Sequence, residues 1–173
     1  MLFCNIGQCP KGCLCIEDSF DCSQANMTSM PDDSSGLKYF IGPENMILPT
    51  LKMFARLQKL ILLDLRSNGI YTLPIGTAAA FQEQNILHTL DLSENNISFI
   101  GSLTFTGLSS LQILSLRQNQ LQTLHESTFQ GLHTIEYLTL DHTFLEALPQ
   151  AIFQNLTELE HLNLSFNNIS TIW

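Results

Sequence analysis

The chain has 173 residues, 45% of them hydrophobic and only 13% charged, with a formal net charge of −9 at pH 7. The length suits one domain, and the acid excess argues against nucleic acid, a partner that needs a basic face, while it fits a basic partner or plain solubility. No stretch reaches the roughly 18 consecutive apolar residues of a membrane span.

The first predicted element is a cysteine-rich head. Residues 4 to 22 read CNIGQCPKGCLCIEDSFDC and hold all five cysteines, Cys4, Cys9, Cys13, Cys15 and Cys22. A zinc site would want separated Cys-x-x-Cys pairs or a nearby histidine, and the head offers neither. A disulfide knot is the better reading, because so short a segment buries little core and needs covalent bridges worth about 2–4 kcal/mol each. The opening MLFCNIGQCP lacks the apolar run of a secretory signal, although the cysteines argue for export.

After the head, one eleven-residue pattern recurs. LILLDLRSNGI starts at Leu60, LHTLDLSENNI at Leu87, LQILSLRQNQL at Leu111, IEYLTLDHTFL at Ile135 and LEHLNLSFNNI at Leu159, with starts 27, 24, 24 and 24 residues apart. Phe54, Phe81, Phe105, Phe129 and Phe153 keep the same spacing. Repetition at this period signals a solenoid. Segments such as TLDLS alternate apolar and polar residues and read as short strands, with Leu90 and Leu92 inward and Thr89, Asp91 and Ser93 outward. One repeat cannot bury its leucines alone, so neighbours stack into a parallel sheet with about 4.8 Å between strands.

The turn after each strand lies inside the coil, where each unpartnered backbone group costs about 1–3 kcal/mol. An asparagine amide donates and accepts at once, so Asn68, Asn95, Asn119 and Asn167 should bridge successive turns. Thr143 takes that position in one repeat and should satisfy fewer groups. The phenylalanine column should fill the back of the core. Counting back from Phe54 exposes a degraded repeat, with Tyr39 and Ile41 in its strand, Glu44 at the asparagine position and Met46 after it. The three extra residues around IGTAAAFQEQ suggest a short helix. The division expected is a cap over residues 1–35 and about six repeats over 36–173, the last one truncated, with Ile169 and Ile172 on an apolar edge.

These repeats resemble those of extracellular leucine-rich repeat proteins of the 24-residue, phenylalanine-bearing subtype. The resemblance implies an α/β repeat solenoid, a horseshoe with a parallel concave sheet and a disulfide-bonded N-terminal cap. In such caps the first cysteine pairs with the third and the second with the fourth, which implies Cys9–Cys15 and Cys13–Cys22. A narrower likeness is to the cap of relaxin-family peptide receptors, G-protein-coupled receptors with leucine-rich repeat ectodomains. The gaps Cys4 to Cys13 and Cys15 to Cys22 match that family, as do Asn26, Met27 and Pro31 after them. That match implies Cys4–Cys15 in place of Cys9–Cys15. The family's calcium-binding module and seven membrane helices have no counterpart in this chain. Its paired acids that hold hormone arginines have none either, since LDLRS, LDLSE and LTLDH each carry a different arrangement.

Solenoids bind through their concave sheet. Its outward columns are expected to hold Lys38, Thr89, Tyr137 and His161; Asp64, Asp91, Ser115, Thr139 and Asn163; Arg66, Ser93, Arg117 and Asp141; and Glu94, Gln118, His142 and Phe166. Within them Asp64, Asp91, Glu94 and Asp141 could meet basic groups, Arg66 and Arg117 acidic ones, and Tyr137 and Phe166 are aromatic anchors of the kind favoured at hot spots. Leu62 and Ile113 add apolar surface to the same face. Sequons at Asn26, Asn96, Asn155, Asn163 and Asn168 support a secretory route, and a glycan on Asn163 would block part of the sheet. His88, His125, His133, His142 and His161 fall in different columns, so no catalytic centre, cofactor or metal is expected.

The partner expected is an extracellular peptide or protein, met at the outer face of the plasma membrane or in secretion, with any membrane attachment supplied by a segment outside this chain. The first reading is a piece of a peptide-hormone receptor ectodomain. The alternatives are a secreted or membrane-attached adhesion or matrix protein, and an innate-immune receptor fragment.

Overall fold

The computed structural model describes residues 8–32, 34–74 and 80–172. Cys4 and residues 75–79, half of the IGTAAAFQEQ stretch expected to hold a short helix, lie outside them, as does the Ile172 side chain.

In the head, β1 (Leu14–Ile16) and β2 (Ser19–Asp21) form an antiparallel hairpin, and β2 then pairs in parallel with β3 (Tyr39–Ile41). From there each coil adds one parallel strand: β4 (Leu62–Asp64), β5 (Thr89–Asp91), β6 (Ile113–Ser115) and β7 (Tyr137–Thr139). A short β8 (Ala147–Leu148) follows β7 in the chain, and the large sheet resumes with β9 (His161–Asn163) beside β7. β10 (Thr171–Ile172) pairs with β8 in a separate two-stranded sheet. The parallel solenoid expected from the repeat is the fold found.

The alternation inside each strand decides what is buried. The central residues Phe20, Phe40, Leu63, Leu90, Leu114 and Leu138 are fully buried, while their neighbours face out. On the back, Phe54, Phe81, Phe105 and Phe129 are buried and run as a chain of ring contacts to Phe153, with centroids 4.4, 5.9, 6.3 and 6.1 Å apart. Phe54 stands on the one α-helix among the described residues, α1 (Leu51–Arg56). Thr50 caps it, its Oγ1 accepting the Met53 N–H at 3.1 Å, which removes one of the orphan donors at a helix start.

The asparagine ladder has one more member than expected. The Oδ1 atoms of Asn45, Asn68, Asn95, Asn119 and Asn167 accept N–H groups of Met27, Ile47, Ile70, Ile97 and Leu145, each in the preceding coil or cap, at 2.8–3.0 Å. Their Nδ2 atoms donate to Cys22, Gly42, Leu65, Leu92 and Leu140 carbonyls across the same boundary. Thr143 interrupts the series, with the single hydrogen of its Oγ1 shared between the acceptors Leu140 O and Asn167 Oδ1.

The register of the degraded repeat is corrected. Tyr39 pairs with Leu62, so that coil advances 23 residues and not 24. Asn45, not Glu44, therefore enters the ladder, and Ile47, not Met46, is buried behind it. A one-residue slip exchanges the faces of a strand, and it also removes Lys38 from the Thr89 column. Tyr39 takes that place, and Lys38 Nζ instead meets Asp18 of the cap at 2.6 Å. The cap bridges are Cys9–Cys15 and Cys13–Cys22. These occupy Cys15 and exclude the Cys4–Cys15 pairing, and no free thiol of the four remains for zinc. In the last coil Leu162 is exposed, and Ile169 is half-buried.

Candidate functional site

The paired strands set four columns across the concave sheet. The first holds Tyr39, Leu62, Thr89, Ile113, Tyr137 and His161. Its exposed Tyr39, Ile113 and Tyr137 make an apolar stripe, and Tyr137 lies flat on His161 with ring centroids 4.4 Å apart.

The second column is acidic towards the cap: Asp21, Ile41, Asp64, Asp91, Ser115, Thr139 and Asn163. Asp64 Oδ1 accepts the Arg66 N–H at 2.9 Å, and Asp91 Oδ1 accepts the N–H and hydroxyl of Ser93 at 2.9 and 2.6 Å. These bonds fix each carboxylate over its own turn. Burial raises the Asp64 pKa above its ordinary value; the Arg66 N–H pulls it down, and the neighbouring Asp91 and Asp21 charges add to the rise.

In the third column Arg117 reaches across to the next coil, its Nε 3.2 Å from Asp141 Oδ2, which His142 Nδ1 also meets at 2.8 Å. The Asp141 side chain is only 6% exposed, and its Oδ1 has no partner among the described residues. Arg66 leans back to Asp64 in its own coil at 3.8 Å.

The fourth column lines the rim beside the ladder: Glu44, Ser67, Glu94, Gln118, His142 and Phe166. All six have positive φ, between 52° and 55°. This left-handed step swings the following ladder residue inward and turns its own side chain out. Ser67 Oγ donates to Glu94 Oε2 at 2.9 Å, and His142 stacks on Phe166 at 4.2 Å between centroids. Phe166 is 74% exposed. The rim overlooks an open groove of about 600 Å³ with Asn95, Asn119 and Thr143 along it and Phe144 on its far bank.

The expected residues thus form a strip and not one cluster. Arg117 and Asp141 are paired, Asp64 and Arg66 are paired, Glu94 is held by Ser67, and Tyr137 and Phe166 each back onto a histidine. Tyr39 and Phe144 were missed, the first through the register slip. Phe144 could have been found as the aromatic in a column otherwise filled by Met46, Gly69, Asn96, Gln120 and Asn168.

Residues 85–145 and 134–173 match the Leucine rich repeat family, more than half of the chain. The chain is a leucine-rich repeat protein. Among curated relatives, leucine-rich repeat-containing protein 3B of Bos taurus, Mus musculus and Homo sapiens is 32% identical over 116 residues, covering 64% of this chain and 44% of each relative. The match spans less than half the length of those relatives. Among solved structures, a chain of the Toll–Spatzle complex of Drosophila superposes with a TM-score of 0.68 at 22% identity, over 79% of this chain and 18% of that one. The glycosylated form of that complex gives 0.69 at 20% identity, over 82% and 19%. At these identities the superpositions establish the leucine-rich repeat fold.

Proposed function

We propose that this leucine-rich repeat chain is an extracellular binding module, the cap of residues 1–35 closing an array over 36–173 that docks a protein or peptide on its concave face and rim. The observation that carries this reading is the strip itself. Tyr39, Ile113, Tyr137 and Phe166 remain exposed on the sheet and rim, where a merely solvated face would be polar, and exposed apolar groups rimmed by charge mark interaction sites. The Asp64, Asp91 and Glu94 carboxylates stand beside that apolar stripe and favour a partner with basic groups. Two disulfides in the cap fit an oxidising compartment. The fold shared with a chain of the Toll–Spatzle complex adds a precedent for a scaffold of this kind in a protein–protein complex.

The narrower reading, a relaxin-receptor-like hormone ectodomain in a G-protein-coupled receptor, rests on the cysteine gaps of the head and on Asn26, Met27 and Pro31 after them, and the Cys9–Cys15 bridge removes the pairing it implied. The relatives matched favour the broader class, to which an adhesion or matrix role also belongs.

The test is an array of secreted and cell-surface proteins probed with the chain, with a Tyr39→Ala/Ile113→Ala variant on the concave face and with Gln130→Ala on the back. The expected result is a partner lost with the first variant and kept with the second. A partner lost only with Gln130→Ala would place binding on the back and sink the proposal.

A further inference from the structure

The five sequon asparagines and the five ladder asparagines do opposite things. Every ladder Nδ2 donates into the core, to the Cys22, Gly42, Leu65, Leu92 and Leu140 carbonyls. No ladder asparagine begins a sequon, because the residue two further on must be the buried Ile47, Ile70, Ile97 or Leu121, or the half-buried Ile169. In both NNIS stretches the first asparagine (Asn95, Asn167) goes inward and the second (Asn96, Asn168) is exposed. The sequon side chains are all exposed, and none of their Nδ2 atoms donates a hydrogen bond among the described residues.

Three of the five fall within one turn of the solenoid, from the back segment that leads into β9 to the flank just after it, and they leave it in different directions. Asn155 opens on a crevice of the back beside Gln130 and Gln154. Asn168 stands next to the ladder on the flank, its N–H bound to Leu145 O. Asn163 lies on β9 in the sheet face, opposite Thr139. Its Oδ1 accepts both the N–H and the hydroxyl of Ser165, at 3.1 and 2.7 Å, which leaves Nδ2 as the uncommitted atom of the amide.

We infer that Asn155, Asn163 and Asn168 carry N-linked oligosaccharides that collar the β9 coil on its back, face and flank. In the transfer, Nδ2 forms a bond to the anomeric carbon of a lipid-pyrophosphate-linked oligosaccharide. The anomeric C–O bond breaks, the lipid pyrophosphate leaves with that oxygen, and the amide gives up one proton. The face glycan rises from Asn163 between the Tyr137–His161 stack and the His142–Phe166 stack, so that it covers those rings and shifts protein docking towards β3 to β6. That consequence for docking rests on the concave-face reading; the occupancy does not.

The experiment uses the chain secreted from N-glycosylating eukaryotic cells. Enzymatic release of the glycans in heavy-oxygen water, followed by peptide mass spectrometry, should convert Asn155, Asn163 and Asn168 to labelled aspartates. Hydroxyl-radical footprinting before and after release should show Tyr137 oxidation rising. Tyr39 should stay unchanged as the internal control, since the two tyrosines have nearly equal exposure, 39% and 37%. An Asn163 peptide found unlabelled, or Tyr137 reactivity indifferent to release, overturns the collar and leaves the binding proposal standing. A labelled Asn163 with no partner lost on the concave variants does the reverse.

Discussion

Asn95 and Ile70 belong to neighbouring coils, and Asn95 Oδ1 accepts the Ile70 N–H at 2.9 Å while also taking the Asn68 N–H at 3.0 Å. Its Nδ2 donates to Leu65, Leu92 and Ser93 carbonyls, each at 3.0 Å. One side chain therefore serves five backbone groups in the interior. Asn95→Leu should lower stability by about 1–3 kcal/mol, since buried groups lose partners that water cannot replace. Chemical denaturation checks it, and an unchanged midpoint would count against the ladder.

Thr143 gives the converse prediction. It supplies a hydroxyl where the other coils supply an amide, and its Oγ1 is engaged with Leu140 O and Asn167 Oδ1. Thr143→Asn should restore an acceptor for the Leu121 N–H and raise stability by about 0.5–1.5 kcal/mol, the net value of an added internal hydrogen bond. The same denaturation series reads it.

The register at the first coil can be tested by neighbours. Asn45 Nδ2 donates to three carbonyls, of Cys22, Gly42 and Pro43, whereas Glu44 is exposed. Asn45→Ala should cost about 1–3 kcal/mol, and Glu44→Ala should stay within about 0.5 kcal/mol. Equal effects would reinstate a 24-residue step.

How much of this was legible in the sequence depends on what repeats. Asn68, Asn95, Asn119, Asn167 and the phenylalanine spine could be read because every coil imposes the same two demands, an amide for the turn and a ring for the back. Asn45 could not be placed, because a single short coil breaks the count and the side chain that reports the break is the one being counted. The outward columns were legible from β4 to β9. Their pairings were not: Arg117 with Asp141 and Tyr137 with His161 depend on side-chain directions in coils 24 residues apart. The αL rim left no residue-type signal, since Glu44, Ser67, Gln118 and Phe166 share nothing that marks a left-handed step.

Asp64 should make stability depend on pH in an uncommon direction for a carboxylate. Its folded pKa is raised above 3.8, chiefly by burial. The folded chain therefore binds this proton more tightly than the unfolded chain, and ionised Asp64 costs stability above its folded pKa. The cost fades as pH falls and is gone below 3.8. Asp64→Asn keeps an oxygen for the Arg66 N–H and removes the charge. It should raise Tm at neutral pH, with a gain that shrinks on acidification; a gain equal at both ends would refute the assignment to ionisation.

The cap should depend on its bridges. Cys13 and Cys22 are joined, and Cys22 is fully buried, its N–H donating to Ile41 O at the end of β3. Replacing both by serine should cost about 2–4 kcal/mol, read as an earlier loss of the cap in limited proteolysis and a lower denaturation midpoint.

The left-handed rim has a consequence for how such a molecule can change. At Glu44, Ser67, Glu94, Gln118, His142 and Phe166 the backbone makes an identical step, and bulky branched residues are disfavoured in that geometry. Charge, hydroxyl, amide, imidazole and phenyl are all tolerated there. The row behaves as a keyboard of interchangeable sockets, in which recognition can be rewritten one coil at a time while the architecture beneath stays untouched.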